Sequence, residues 1–370
     1  MSHSRTLLFT GAIAVAVSLG VLAQGSAGGT LDIYFVDTEG GQATLYVTPA
    51  GETLLVDTGH AGARDRGRIL AVLGVAKVTT IDHLLLTHYH ADHYGNLIAL
   101  AQTPGVGHLY DHGPSTEGAL PAIAAFETQY ADLVRTVPRT IVNPGDAIPL
   151  AGVTTTIVAS DNKALATPLP NAPEAGRPNP ACAQVTPREE VAVDDNHNSA
   201  GFVMTYGRFR TVNLGDLTWS REVALMCPEN NLGTVDLYLT THHGLDRSGS
   251  PVVVHALHPR VAIMNNGTRK GGAVQTYQTL ESAPGFVDLW QLHWSYVGGV
   301  EHNPPGLRIA NLDAPEQLAA IVTGAAAPPA GTGGTADHEA FYLKVAARED
   351  GSFTVTNSRN GYTKYYGPHR

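Results

Sequence analysis

The sequence predicts an α/β protein in four layers, two mixed β-sheets packed face to face with helices outside. Three observations predict it. Short β-branched and aromatic runs open the chain, then strand-like and helix-like stretches alternate, and this order occurs twice. Apolar residues make up 43% and charged residues 15%, enough to fill cores and too apolar for disorder. The 370 residues suffice for one large domain, or one domain with an appendage.

The opening strands are Leu31 to Val36, Thr44 to Val47 beyond the turn at Gly40-Gly41, and Glu52 to Val56 beyond Pro49-Ala50-Gly51, a β-meander. A helix-like stretch from Arg64 to Leu73 precedes an apolar strand from Ile81 to Thr87. Helices are expected at Asn96 to Ala101 and at Leu120 to Val134. The second set of strands is Val153 to Ala159, Gly201 to Tyr206 and Thr211 to Leu214. Between the first two, residues 162–190 are rich in Pro and Ala with little periodicity, and read as a surface insertion. Strands at Val235 to Thr241, Val261 to Met264 and Val287 to Leu292 each follow a helix-like stretch. An Ala/Pro/Gly linker from Ala325 to Ala336 leads to a closing hairpin, Phe341 to Ala346 with Phe353 to Thr356. The expected organisation is an export signal at 1–27, one catalytic domain at 28–312, and a linker with a C-terminal β extension at 313–370.

Arg5 followed by the apolar run Leu7 to Ala23 and small residues to Ala27 has the pattern of a secretory signal. The run is about 17 residues, short for an anchor across ~30 Å of hydrocarbon, and no later stretch is long and apolar enough to span a bilayer. The expected location is outside the cytoplasm. There Cys182 and Cys227 can form one disulfide, the alternative being two unrelated thiols.

With 23 Lys+Arg against 33 Asp+Glu the net charge is −10, which gives no footprint for general nucleic-acid or anionic-membrane binding. Histidine stands out: 17 residues, against 8 Phe, point to metal chemistry, since imidazole is a common ligand and a poor core filler.

The densest signal is Thr87-His88-Tyr89-His90-Ala91-Asp92-His93, between a strand and a helix. His88 and His90 are two apart, so an extended backbone points both to one ion. Asp92 and His93, on the turn into the helix, can reach a second ion. Zinc suits such nitrogen and carboxylate ligands with a position left for water. One loop cannot complete two shells. Asp216, in Gly215-Asp216 after an apolar strand, suits a carboxylate that bridges two ions; the competing reading is a helix N-cap. Thr240-Thr241-His242-His243-Gly244 ends another apolar strand, and one of its imidazoles can close the second ion's shell while the other orients substrate or donates a proton. Spacing leaves the two exchangeable; the working assignment makes His242 the ligand and His243, with Asp92, catalytic.

With these motifs the chain resembles the metallo-β-lactamase superfamily, whose H-x-H-x-D-H is matched by His88, His90, Asp92 and His93. Within it the chain looks like the ComEC-type branch, the hydrolase domain of DNA-uptake proteins and its free-standing relatives. The match runs over about residues 30 to 300 and includes Asp57-Thr58-Gly59, Asn196 to Ser199, Gly215-Asp216 and His242 to Gly244. The resemblance implies the αββα metallo-β-lactamase fold, two zinc ions (Mn or Fe being alternatives), a bracing role for Asp57, and hydrolysis by metal-bound hydroxide. The substrate it implies is a phosphodiester or small phosphoester. A lactam, lactone or carboxylic ester is the alternative, and a metal-bound, non-catalytic binding protein the third reading. Many members supply a further His before the bridging Asp, where this chain has Asp195-Asn196-His197-Asn198; His197 is read as a loop residue, as is His302. Nothing in the sequence sets the oligomeric state.

Overall fold

The structure is a computed structural model that describes residues 29–185, 188, 194–327 and 339–368. The export segment at 1–27 and most of the Ala/Pro/Gly linker lie outside the described residues, as do His3, His338 and His369.

Nine strands make the first sheet. They are β1 (Leu31–Phe35), β2 (Thr44–Val47), β3 (Thr53–Val56), β4 (Ile81–Leu85), β5 (Val106–Asp111) and β6 (Arg139–Ile141), joined at the β1 edge by three strands from the chain's last part. The second sheet holds β7 (Thr154–Ser160), β8 (Lys163–Ala164), β9 (Gly201–Tyr206), β10 (Phe209–Asn213), β11 (Leu237–Leu239), β12 (Val261–Met264), β13 (Asp288–His293) and β14 (Ile309–Asn311). The chain then returns to the first sheet as β15 (Leu343–Ala347), β16 (Phe353–Asn357) and β17 (Thr363–Tyr366). Where a closing hairpin was expected, a three-stranded meander forms, with β15 antiparallel to β1.

Each sheet has an antiparallel part and a parallel part. Pairing is parallel from β3 to β6 and from β10 to β14. Parallel neighbours need a crossover, and helices supply most of them. On the first sheet these are α1 (Ala63–Ala76), α2 (Ala91–Tyr94), α3 (Leu97–Leu100) and α4 (Pro121–Leu133). On the second they are α5 (Trp219–Met226), α6 (Pro251–Leu257) and α7 (Val274–Glu281). A further helix, α8 (Pro315–Val322), precedes the return to the first sheet.

Three apolar cores show the four layers. Ile33, Phe35, Val56, Leu85, Phe202, Phe209, Ile263 and Trp290 pack between the sheets. Leu55, Ile69, Val72, Leu84 and Phe126 join the first sheet to its helices, and Val203, Val212, Tyr238, Val253 and Leu280 do so for the second. Leu54, Leu55 and Val56 are all buried although they alternate in direction, because both faces of the sheet are covered.

The described part of the Pro/Ala-rich surface stretch, residues 162–185, is fastened to the body of the fold. Its backbone bonds at Leu169, Gly176 and Asn179 run to Asn231, Asn230 and Pro228, at 2.8, 2.8 and 2.9 Å. The Asn179 amide donates to the carbonyls of Met226 and Val252, at 3.0 and 2.9 Å. A disulfide joins Cys182 to Cys227, 45 residues away. Closing a loop of that length stabilises by up to about 4 kcal/mol in the chain-entropy picture. We therefore expect Cys182→Ser/Cys227→Ser to lower the urea midpoint of the purified chain, with the cost falling at or below that figure.

Candidate metal centre

All the motif residues sit at one end of the sandwich, just beyond the C-terminal ends of parallel strands, where open α/β sheets place their sites. Asp57 follows β3, the His88–His93 stretch follows β4, Asp216 follows β10, and His242 and His243 follow β11.

Asp57 organises the β4 loop. Its φ of 61° turns the chain sharply at the strand end. The carboxylate accepts the Thr87 N–H at 2.8 Å and the Thr87 hydroxyl at 2.7 Å, and its Oδ2 lies 2.8 Å from His93 Nδ1. That contact fixes the ring and sends His93 Nε2 into the centre. Gly215 (φ 56°) is needed at the Gly-Asp turn, because a Cβ there would lie 3.0 Å from Thr87 Cβ. The Asp216 N–H donates to Ser199 Oγ at 3.1 Å, which gives the Asn196-to-Ser199 motif its part in the site.

Four ligand-type atoms then converge: Asp92 Oδ2, His93 Nε2, Asp216 Oδ2 and His243 Nε2. His93 Nε2 is 3.4 Å from Asp92 Oδ2 and 3.3 Å from both Asp216 Oδ2 and His243 Nε2. His243 Nε2 is 3.4 Å from Asp92 Oδ2 and 3.2 Å from Asp216 Oδ2. A regular tetrahedron of ligands 2.0–2.1 Å from zinc has edges of about 3.3–3.4 Å, so the donor set fits such an ion. Asp216 Oδ1 and His243 Nδ1 are buried with no hydrogen-bond partner, so neither group is committed elsewhere in the protein.

His88 and His90 flank the other side. His88 Nε2 is 3.0 Å from His90 Nδ1 and 3.9 Å from Asp216 Oδ2. His242 Nε2 is 3.4 Å from the same Asp216 oxygen, with its Nδ1 3.2 Å from Ser248 Oγ. The geometry thus puts His243, not His242, in the four-atom set. The reason is local: both residues have left-handed backbone, φ 55° and 57°, which sends neighbouring rings to different places around Asp216. Asp92 and His243, assigned catalytic roles from the sequence, both contribute atoms to the tetrahedral set.

Burial alone would raise Asp216, but the imidazoles of His243, His242 and His93 hold its carboxyl well below the usual range. Burial would likewise lower His93, and Asp216, Asp92 and Asp57 together lift it well above the ordinary value. His88 is driven far down by burial and by His93 and His90, and burial holds His242 down to about 4.

Several supporting residues carry no sequence signal. Glu117 Oε2 is 2.8 Å from His90 Nε2 and orients that ring, and the Lys270 ammonium rests on Asp92 Oδ2. Asp195, fully buried, accepts the Tyr89 N–H at 2.6 Å and the Ser115 hydroxyl at 2.9 Å, and contacts His112 Nε2 at 3.1 Å. It therefore locks the metal loop to the loop that carries Glu117. His197 takes part in a capping turn with Asp194, and His302 Nδ1 donates to the Gly298 carbonyl at 2.6 Å, as loop residues do. A second buried group, Asp37, Glu39 and His293, already holds the Arg68 guanidinium, 3.0 Å from Asp37 Oδ2 and 3.5 Å from Glu39 Oε1.

Asp57→Asn should keep the fold and weaken metal binding about 10–100-fold, the usual effect of losing an outer-shell carboxylate. A chelator-competition titration alongside circular dichroism checks both halves of that expectation.

Residues 37–171 match the family model described as the metallo-beta-lactamase superfamily; the matched stretch holds His88 to His93 and ends before Asp216. No curated protein matches the sequence. Among solved structures, the chain is similar to the metallo-beta-lactamase fold protein YhfI from Bacillus subtilis, at 12% identity and TM-score 0.44 over 70% of this chain and 96% of that one. It is also similar to Igni18, a metallo hydrolase from Ignicoccus hospitalis, at 14% identity and TM-score 0.41 over 71% and 95%. A third is CmlA, a diiron beta-hydroxylase from Streptomyces venezuelae, at 16% identity and TM-score 0.37 over 64% and 45%. The matched segment, residues 37–171, is thus similar to the metallo-beta-lactamase superfamily, and it carries the Asp92 and His93 part of the convergent His/Asp cluster.

Proposed function

We propose that the protein is an exported two-zinc hydrolase of a phosphodiester or small phosphoester, of the ComEC-like kind. One observation carries the reading: a single oxygen, Asp216 Oδ2, is approached by His93, His243 and His242 at 3.2–3.4 Å and by His88 at 3.9 Å. An oxygen so surrounded suits a carboxylate shared between two cations. Paired cations lower the pKa of a bound water and clamp the oxygens of an in-line phosphoryl displacement.

The chain's own residues do the rest. Asp92, His93, Asp216 and His243 would hold one ion, and His88, His90 and Asp216 would contribute to holding the other. Asp57 and Glu117 keep His93 and His90 in the tautomers that present nitrogen to the centre. The Lys270 ammonium, one-quarter exposed beside Asp92, adds positive charge where an anionic substrate would enter. A small phosphoester fits a chain of net charge −10 better than a nucleic-acid polymer. Export is supported by the Arg5-to-Ala27 pattern and by the Cys182–Cys227 disulfide. No described helix is long and apolar enough to cross a membrane.

The test is hydrolysis of bis(p-nitrophenyl) phosphate by the zinc-loaded chain, beside a chromogenic lactam and a lactone. Diesterase turnover that falls at least 100-fold in Asp216→Ala and His88→Ala is the expected result. Turnover of the lactam or lactone alone would overturn the phosphoester assignment.

A further inference from the structure

The Pro/Ala-rich insertion builds a cleft that the metal centre does not use. Residues 169–174 run along Asn231 to Thr234, with the Leu169 N–H on the Asn231 carbonyl and the Thr234 N–H on the Pro173 carbonyl, both at 2.8 Å. This segment is one wall. The floor is the helix-side face of the second sheet, where Thr154 on β7 stands opposite Thr205 on β9, and Thr156 opposite Val203. The cleft between them has a volume of about 910 Å³. It takes in Arg208 and Arg210 at the start of β10, whereas Asp216 follows the other end of that strand.

Two buried groups of opposite charge line this cleft without pairing to each other. Asp236 is 4% exposed, and its Oδ2 accepts the Arg210 backbone N–H at 3.0 Å. Its Oδ1 has no hydrogen-bond partner and lies 3.9 Å from Arg260 Nη1, beyond hydrogen-bond reach. Arg210 is 6% exposed, and its guanidinium donates to the Leu232 and Thr234 carbonyls; among the described residues no carboxylate pairs with it. Burial pushes the Asp236 carboxyl up to about 6 and the Arg210 guanidinium down to about 10, as expected of charges short of partners. A ligand that brings both counter-charges relieves both groups at once. Leu169, Pro173, Val203 and Val235 add apolar surface, and the lining holds no aromatic ring of the kind that stacks on a sugar. We propose that the cleft binds a small aliphatic zwitterion, its ammonium on Asp236 Oδ1, its carboxylate on the Arg210 fork and its side chain against Leu169, Val203 and Val235. A free aliphatic α-amino acid and a short aliphatic peptide present the same chemistry. The Cys182–Cys227 disulfide and the Asn179 bonds then have a purpose: they hold the wall in place before the ligand arrives, which saves ordering cost on binding.

The test is calorimetric titration of the full chain, dialysed free of unbound metal, with L-leucine and with dileucine. Saturable one-to-one binding of at least one of them is expected, the tighter of the two telling free amino acid from peptide. Leucine without its ammonium (4-methylpentanoate) or without its carboxylate (3-methylbutylamine) should bind about tenfold more weakly or worse, since each leaves one buried charge unmet. Asp236→Asn should weaken binding by about the same factor. Should that buried change disturb the fold, Thr156→Trp on the half-buried floor decides, because it fills the cleft and should abolish binding. Asp216→Ala should bind as the wild type does, which separates the cleft from chelation at the metal centre. No saturable binding of either ligand overturns the inference. So does equal binding of the singly charged analogues, or binding that Asp216→Ala abolishes and Thr156→Trp leaves intact.

Discussion

Burying carboxylates is expensive unless opposite charge or hydrogen-bond donors meet them, and the metal end of this fold is organised around that constraint. Asp57, Asp195 and Asp216 are essentially shielded from solvent. Asp57 spends its oxygens on Thr87 and His93, and Asp195 on backbone and side-chain donors from two loops. Asp216 differs: its N–H is tied to Ser199, but one carboxylate oxygen is unpaired and the other faces only imidazoles. A buried carboxylate left in that state is poised for a cation, and every neighbouring loop is braced to keep it there.

The bracing comes from strand ends. Parallel strands deliver Asp57, His88, Asp216 and His243 to one rim, and tight turns then rotate each side chain inward. Substitution at those turns is penalised through the backbone as well as through lost contacts. Gly41 shows this: a Cβ there would lie 2.6 Å from the Asp92 carbonyl, so the turn after β1 can approach the metal loop only without a side chain.

The layered fold and the His88–His93 cluster are both legible in the sequence, because each depends on short-range pattern: apolar strands bounded by turns, and three imidazoles with a carboxylate within six positions. The residues that aim the ligands were not legible. Glu117 is 27 residues from His90 and Lys270 is 178 residues from Asp92, and no local periodicity announces either contact. The parts of His242 and His243 could not be separated by spacing, since a left-handed turn at both positions decides them. The third C-terminal strand, Thr363–Tyr366, escaped notice because four residues with two exposed side chains carry little alternation. Nor does composition show that residues 162–185 are pinned by Asn179 and a disulfide.

The return of the chain to β1 has a consequence for how the protein avoids self-association. Without β15, the open side of β1 would present a row of unpaired N–H and C=O groups over the apolar layer between the sheets, a template for pairing with another molecule. The last strands cap that side, and Tyr366 secures them by accepting the Trp290 indole N–H at 3.0 Å and donating to Asp288 Oδ2 at 2.6 Å. The exposed rim moves outward to β17, which is short and carries Lys364 and a proline just beyond it at Pro368. A chain cut before Leu343 would keep all the histidines of the metal centre and lose the guard against edge-to-edge aggregation.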